Sequence, residues 1–387
     1  MEITEYIRNR EAYSRILRKE IIPAAGYTEP ISIAYCAAKA HQVLGMQPTA
    51  ATVSVSGNVL KNAKGVVVPN TNGLKGIRAA VAAGIICGDA DRGMQVLGAV
   101  SDEQRAAVAD FMNTVNIDVS CAETDCQLYI SVTLYARTSY SRVVIVDNCS
   151  NIVEIMKNGE SLLKRPIMMH HEGVSNDASC LNPHDIFVYA NSVNIEEVQD
   201  LLDMQIDCNT AICEAGMNRK YGSDIGKILL QGNESDAMIV SKAYAVSGCE
   251  ARMNGCELPA AILCGSGNQG IVASVPIIYH AKQFAIERER VYRALILSDL
   301  LTVCQNMSDG QLSVGCGVIN AGCAVGAGVA YLLGGDENAV LQTLENAVSM
   351  TIDMNCDGAK PSCAAKIAAA IDTGFLGYRI YLRNAEG

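Results

Sequence analysis

The spacing of hydrophobic residues at the start of the chain is that of two helices. Apolar side chains recur at helical intervals over residues 3–22, and the pattern ends at Pro23. A second helical pattern runs to about Leu44. Thr28 is a suitable N-cap for this second helix, and Pro30 fits its first turn, where a backbone N–H is not needed. The sequence therefore predicts two consecutive helices.

Shorter runs of β-branched or alternating residues predict strands. The first two cover residues 50–56 and 65–69 and precede a turn rich in Asn and Gly. Three further runs are separated by turn residues and predict a small antiparallel sheet. These runs are Gln127–Tyr135, Ser141–Asp147 and Asn151–Met156.

Helical patterns return after this sheet and continue through the rest of the chain, with long Ala- and Gly-rich segments at 318–333 and 363–371. Small residues on such segments allow helices to approach closely around a buried centre. We therefore predict an α+β fold. Its Ala/Gly-rich helical domain combines residues 1–100 with residues 206–387, and a small α/β domain that contains the antiparallel sheet is inserted at 101–205.

Composition narrows the classes of function. Half of the 387 residues are hydrophobic, so the chain can bury a large core. The net charge of −11 and the absence of Trp, with only 4 Phe, argue against a nucleic-acid partner. The sequence shows no signal peptide and no apolar run of the length of a membrane span, so we expect a cytoplasmic protein without a membrane partner. A homodimer is one assembly that the sequence allows.

The chain contains 16 cysteines, which are its most reactive side chains. In a reducing compartment most of them are buried thiols, and a few are ligands or nucleophiles. Cys356 and Cys363 enclose Asp-Gly-Ala-Lys-Pro-Ser, which predicts a turn that brings both thiols towards one point. Their spacing and the lack of a nearby His disfavour zinc, whereas thiolate ligation suits an iron–sulfur cluster. Two structural thiols on a loop are the alternative.

A third ligand is expected in the same part of the chain. Cys316 lies between Gly315 and Gly317, which permit the close approach of a bulky group. Cys323 would share a helix face with Cys316 and is its main competitor, although Gly322 beside it also fits ordinary helix packing. We favour Cys316 as the third ligand.

The segment Gly-Ser-Gly-Asn-Gln-Gly at 265–270 follows an apolar run and precedes a predicted helix. A glycine loop at a helix N-terminus offers backbone N–H groups to an anion. A nicotinamide dehydrogenase would need an acidic residue at the end of a second strand about 20 residues later, and a helix is predicted there instead. We predict a carboxylate-binding loop that contains Gly267, with Ser266, Asn268 and Gln269 as side-chain donors.

Other polar groups lie at helix starts and on predicted loops. Tyr27, Thr28 and Glu29 present a phenol, a hydroxyl and a carboxylate where helix stability alone would also favour an N-cap and an acid. Cations and an amide lie on segments that could equally be solvated turns: Lys61, Asn62 and Arg252.

Together these segments resemble the L-cysteine desulfidase family, which is related to the alpha subunit of iron–sulfur L-serine dehydratases. The resemblance runs from about residue 15 to residue 370, and its motifs at 265–270 and 356–363 are specific. The other matching segments are Gly-Tyr-Thr-Glu-Pro-Ile (26–31), Lys61-Asn62, Val68-Pro69, Arg252-Met253 and Leu258-Pro259.

The resemblance implies a [4Fe–4S]-dependent lyase that converts cysteine to pyruvate, ammonia and sulfide without pyridoxal phosphate. It also implies that Cys316, Cys356 and Cys363 bind the cluster. The chain departs from the family at one position, because Tyr27 replaces the cysteine of the motif Gly-Cys-Thr-Glu-Pro.

In such an enzyme an open iron acts as a Lewis acid on the leaving group, and Tyr27, helped by Thr28 or Glu29, is the candidate base for the α-proton. The same elimination from serine or another β-substituted amino acid is one alternative. A non-catalytic iron–sulfur sensor is another. Substrate binding would fall to the polar residues of the remaining motifs: Lys61, Asn62, Arg252, Ser266, Gly267, Asn268 and Gln269.

Overall fold

The computed structural model describes residues 3–166, 180–308, 316–351 and 361–386. In these ranges helices combine with two sheets, which confirms the predicted α+β class. The helices are α1 (Ile3–Glu20), α2 (Thr28–Leu44), α3 (Gly57–Ala63), α4 (Gly76–Cys87), α5 (Asp102–Thr114), α6 (Pro183–Ser192), α7 (Gln199–Asn218), α8 (Ile225–Leu230), α9 (Ala237–Met253), α10 (Gly267–Phe284), α11 (Arg288–Ser308), α12 (Val318–Leu332), α13 (Glu337–Ser349) and α14 (Pro361–Ala385). The strands are β1 (Ile22–Ala25), β2 (Ala50–Val55), β3 (Asn116–Cys121), β4 (Tyr129–Ala136), β5 (Ser139–Val146), β6 (Ile152–Lys157), β7 (Glu160–Lys164) and β8 (Pro259–Ile262). None of the described helices has both the length and the hydropathy that a membrane span requires.

The larger sheet has six strands in the order β3-β2-β4-β5-β6-β7. β2 pairs with β3 in parallel, and the other neighbouring strands are antiparallel. The strand predicted at 50–56 and the three predicted between 127 and 156 are therefore confirmed. β2 precedes residue 101, so the N-terminal segment contributes to this sheet. The domain boundaries at 101 and 205 stay a prediction.

The strand predicted at 65–69 does not form, because Val67 makes only an isolated bridge. The segment packs against two glycines instead. A Cβ added at Gly255 would lie 2.6 Å from Val67 Cγ1, and one added at Gly26 would lie 2.1 Å from Pro69 Cγ. The apolar character of this segment therefore reflects packing against other parts of the chain, not pairing in a sheet.

Helix α2 packs on the sheet and against α4. The hydroxyl of Ser141 on β5 donates to the carbonyl of Ala40 at 2.7 Å, and the Cys36 thiol donates to the carbonyl of Val143 at 3.3 Å. Helix α4 approaches α2 at Gly84, where a Cβ would lie 2.2 Å from a carbonyl oxygen of α2. These contacts fix the position of α2, whose first turn carries several predicted site residues.

The smaller sheet joins two predicted motifs. β1 and β8 are antiparallel, with Ala25 opposite Pro259. β1 ends directly before Gly26, and β8 leads into the loop at 265–270. This short ladder therefore anchors the segments that precede both motifs side by side.

Helices α12 and α14 run parallel and touch through their backbones. A Cβ added at Gly322 would lie 2.3 Å from the carbonyl oxygen of Ala370, and one added at Gly326 would lie 2.3 Å from that of Gly374. Both pairs are separated by 48 residues, so the two helices advance in the same direction. Their N-termini consequently lie at the same end of the pair.

We expect Gly326→Ala to lower the free energy of unfolding by about 1–3 kcal/mol, because the added methyl group would collide with the backbone of α14. Urea unfolding followed by circular dichroism measures this change. Gly65→Ala is the matched control, since a Cβ there meets no atom within 4 Å. Equal losses of stability in the two variants would contradict the close helix contact.

A carboxyl group is fully buried in the helical core. Asp299 Oδ1 on α11 accepts a hydrogen bond from Gln205 Nε2 on α7 at 3.0 Å. Asp299 Oδ2 and Gln205 Oε1 have no hydrogen-bond partner among the described residues. Burial raises the pKa of Asp299 to about 7. Protonation of Asp299 removes an unpaired negative charge from the core, so the core favours the neutral acid.

We expect Asp299→Asn to remove a pH dependence of stability. Because the pKa of Asp299 is about 7 in the folded chain and 3.8 when unperturbed, the folded state binds more protons between these values. The stabilising contribution of the neutral acid is complete below pH 3.8 and is lost as the pH rises through about 7. Relative to the wild type, the stability of the variant should therefore rise as the pH increases from about 4 to about 7 in urea titrations. Parallel pH profiles of the two proteins would refute this assignment.

Candidate active site

A buried arginine lies at the centre of the candidate site. Arg252 belongs to the last turn of α9, and the prediction that it lies on a loop is wrong because the helix continues to Met253. Its side chain is 0% exposed. Nη1 donates to Asn268 Oδ1 at 3.0 Å, and Nη2 donates to Thr28 Oγ1 at 3.1 Å. In the described part of the chain, Nε has no hydrogen-bond acceptor and Arg252 forms no salt bridge. Burial lowers the pKa of Arg252, and the negative charge of Glu29 partly opposes this change.

The start of α2 covers this guanidinium group. Tyr27 is the N-cap residue and Thr28 is the first helical residue, so the prediction that Thr28 caps the helix is wrong. The Thr28 hydroxyl accepts a hydrogen bond from Arg252 instead. The ring of Tyr27 is buried, and its centroid lies 4.8 Å from Arg252 Cζ. This cation–π contact shields one face of the guanidinium group.

The loop at 265–270 turns tightly into α10, as the sequence predicts. Cys264 and Gly265 adopt left-handed φ angles of 50° and 71°. Ser266 caps the helix, because its hydroxyl accepts a hydrogen bond from the backbone N–H of Gln269 at 3.4 Å. The first backbone N–H groups of α10 have no partner within the helix, and this is the physical basis of the predicted anion site.

Asn268 connects the arginine to a predicted cluster ligand. Its Oδ1 accepts from Arg252, and its Nδ2 lies 3.8 Å from Cys363 Sγ and 3.6 Å from Met253 Sδ. Glycine is required at position 267, because a Cβ added there would lie 2.1 Å from Arg252 Nε. Asn268 thus fixes the position of Cys363 relative to the guanidinium group of Arg252. Hydrogen bonding from Asn268 or Ser266 to a substrate stays a prediction.

The side chain of Gln269 belongs to a chain of amides. Asn306 Nδ2 donates to Gln269 Oε1 at 2.8 Å, and Asn320 Nδ2 donates to Asn306 Oδ1 at 3.0 Å. Gln269 also faces Gly317, where an added Cβ would lie 2.4 Å from Gln269 Nε2. The N-terminus of α12 therefore lies against the first turn of α10.

Two of the three predicted cluster ligands lie at helix N-termini. Cys316 directly precedes Gly317, the N-cap of α12, and Cys363 is the third residue of α14 instead of part of a turn. They are 47 residues apart, which nearly matches the 48-residue offset between the touching positions of these parallel helices. The two cysteines therefore lie at the same end of the helix pair. Cys356 falls outside the described residues, and Cys323 is buried within α12.

The chemistry of these donors fits an iron–sulfur cluster. A helix N-terminus stabilises a thiolate, and the amide N–H of Asn268 that approaches Cys363 Sγ also favours a charged sulfur atom. Within the described ranges, no group of three or more Cys, His, Asp or Glu side chains is arranged to hold a metal ion. The ligand set Cys316, Cys356 and Cys363 stays a prediction, because Cys356 lies outside the described residues.

Glu29 and Asn62 form a second polar pair in the site. Asn62 on α3 is 7% exposed and donates from Nδ2 to Glu29 Oε1 at 2.7 Å. Asn62 Oδ1 is buried and has no hydrogen-bond partner among the residues described. Lys61, the preceding residue of α3, is exposed. The structure thus brings Asn62 to the motif at the start of α2.

Sequence reasoning missed other residues of the site. Cys149 follows β5, and a Cβ added at Gly265 would lie 3.9 Å from its Sγ. Burial raises the pKa of Cys149 to about 11, and the negative charges of Glu29 and Glu20 contribute to this rise. Burial also raises the pKa of Glu20. Neither Cys149 nor Glu20 carries a local sequence signal, because only folding brings them to the site; Asn306 is another such residue.

The serine dehydratase alpha chain family matches residues 91–387. A UPF0597 protein of Desulfitobacterium hafniense is 45% identical over 381 residues, which cover 98% of this chain and 88% of that relative. UPF0597 proteins of Finegoldia magna and Lachnoclostridium phytofermentans are 42% and 41% identical; the alignments cover 96% and 95% of this chain and 89% and 88% of the relatives. The chain therefore belongs to the serine dehydratase alpha chain family.

Proposed function

We propose that the chain is an iron–sulfur-dependent lyase that eliminates the β-substituent of a small amino acid and releases pyruvate and ammonia. Serine, whose hydroxyl group leaves as water, is the first expected substrate because the family is that of the serine dehydratase alpha chain. Cysteine, which would release sulfide, is the second candidate because the motifs at 265–270 and 356–363 resemble those of L-cysteine desulfidases.

One observation carries this proposal, namely the contact between groups from separate motifs. Arg252 bonds to Thr28 and Asn268, and Asn268 contacts Cys363. A cation, a hydroxyl, an amide and a thiol thus meet in one place although they are far apart in the sequence. An elimination from an amino acid needs such a combination, because it must bind a carboxylate, move a proton and assist a leaving group.

The residues of the chain have distinct expected roles. A [4Fe–4S] cluster held by Cys316, Cys356 and Cys363 would supply a Lewis acid for the leaving group. The positive charge of Arg252 and the first N–H groups of α10 favour a substrate carboxylate. Tyr27 and Thr28 are candidates for moving the α-proton. The aminoacrylate product hydrolyses in water to pyruvate and ammonia.

We expect the anaerobically reconstituted protein to form pyruvate from L-serine, and Arg252→Lys to lower kcat/KM roughly 10- to 100-fold. Lysine cannot donate simultaneously to Thr28 and Asn268 in the fork geometry of arginine. Pyruvate and ammonia are measured with L-serine, L-cysteine, L-threonine and their D-isomers, with 2-oxobutyrate as the expected keto acid from threonine.

Arg290→Lys is the control for this experiment, because Arg290 donates to backbone carbonyls of Leu332 and Tyr331. It should retain the wild-type kcat/KM. A cluster-loaded protein that releases no keto acid from any of these amino acids would overturn the lyase proposal and favour a sensor.

We expect Tyr27→Phe to lower turnover roughly 100-fold or more while the iron content stays unchanged. The phenylalanine ring keeps the contact with Arg252, so this variant tests the hydroxyl group alone. Tyr27→Cys should raise activity towards cysteine. Initial rates and iron analysis measure both effects, and wild-type turnover by Tyr27→Phe would show that the hydroxyl has no part in the chemistry.

A further inference from the structure

Asn62 carries a buried oxygen atom that marks a place for a hydrogen-bond donor. Its Nδ2 donates to Glu29 Oε1 at 2.7 Å. An ionised carboxylate only accepts hydrogen bonds, so the NH₂ group must face Glu29 and Oδ1 must face elsewhere. In the described structure this oxygen is inaccessible to solvent and has no partner. Buried acceptors are almost always paired in the working state of a protein.

Glu29 supplies a negative charge beside this oxygen. Its carboxylate is half-buried, and within the described residues no Lys or Arg forms an ion pair with it. An acid in the first turn of α2 also stabilises the helix. Helix stability does not explain why a buried amide oxygen without a donor lies next to that acid. The pair therefore has the character of a binding site for a cationic donor.

Thr28, the residue before Glu29 in the same helix turn, holds a positive group. Thr28 binds the guanidinium group of Arg252. Among the described residues Arg252 forms no salt bridge, although the negative charge of Glu29 partly opposes the lowering of its pKa by burial. One negative and one positive group are thus fixed at the start of α2, each by a hydrogen bond. An amino acid zwitterion carries the complementary pair, an ammonium group with three donors and a carboxylate that only accepts.

We infer that Glu29 and Asn62 form the subsite for the α-ammonium group of the substrate. This inference rests on the proposed function, because it assigns one end of the substrate in the same site. It limits the substrates to amino acids with a free ammonium group and excludes 2-hydroxy acids. It also makes Glu29 a recognition residue and leaves proton transfer to Tyr27 or Thr28.

The test compares two ligands that lack a leaving group and differ at one position. L-Alanine carries the α-ammonium group, and L-lactate carries a hydroxyl group there. Calorimetric titration of the anaerobically reconstituted protein measures both affinities without turnover. We expect the wild type to prefer L-alanine, and Glu29→Gln to weaken L-alanine binding roughly 10- to 100-fold with little change for L-lactate.

Asn62 is tested by two variants and a control. Asn62→Leu removes the acceptor and should reduce the preference for L-alanine in the same way as Glu29→Gln. Asn62→Gln keeps both an amide donor for Glu29 and an acceptor oxygen and should retain most of that preference. Asn58→Ala, at an exposed position of the same helix, should bind both ligands like the wild type. Thermal melts of each variant verify that it is folded.

The possible outcomes separate this inference from the proposed function. Keto acid formation together with an unchanged L-alanine preference in Glu29→Gln would overturn the subsite and leave the lyase intact. An equal loss of affinity for both ligands in Glu29→Gln would also overturn the subsite, since that result indicates general damage to the site. A preference for L-alanine that depends on Glu29, without keto acid formation, would support the subsite and refute the lyase. Binding of neither ligand by the wild type would overturn the inference.

Discussion

The burial of the Arg252 guanidinium group is the constraint on which the site depends. A buried cation is costly to desolvate unless hydrogen bonds compensate for the lost water. Thr28 and Asn268 provide these bonds, the ring of Tyr27 covers the group, and glycine at position 267 leaves the necessary space. Together with Arg252, these residues come from three separate segments of the chain. The charge that would attract a substrate carboxylate is therefore also a reason for α2, α9 and α10 to stay together.

The helix backbones provide a second constraint, which positions the thiols. Gly322 and Gly326 let α12 approach α14 so closely that no side chain separates their backbones. Since the two helices are parallel, their packing brings Cys316 and Cys363 to the same end of the pair. Asn268 then holds Cys363 next to the arginine. The glycines of a remote helix contact and the polar residues of the site thus contribute to the same geometry.

Local sequence patterns predict most of the regular structure because the forces involved are local. The helix from Thr28 and the strands between 127 and 156 follow from periodicity and turn residues. The strand predicted at 65–69 is wrong, since Val67 and Pro69 pack against glycines of other segments instead of pairing in a sheet. The motifs identify many residues of the site, but their contacts depend on tertiary packing. Cys149 and Glu20 could not be found at all, because no motif contains them.

Tyr27 shows how packing and chemistry can be separated at one position. The L-cysteine desulfidase motif has a cysteine there, and a thiol is too small to cover a guanidinium group as the tyrosine ring does at 4.8 Å. The ring accounts for the burial of Arg252 whether or not the protein is a catalyst. The hydroxyl is the part of Tyr27 to which the proposed reaction assigns a role. The replacement of the motif cysteine is therefore compatible with an intact binding site, because the contact that stabilises the buried cation does not require the reactive group.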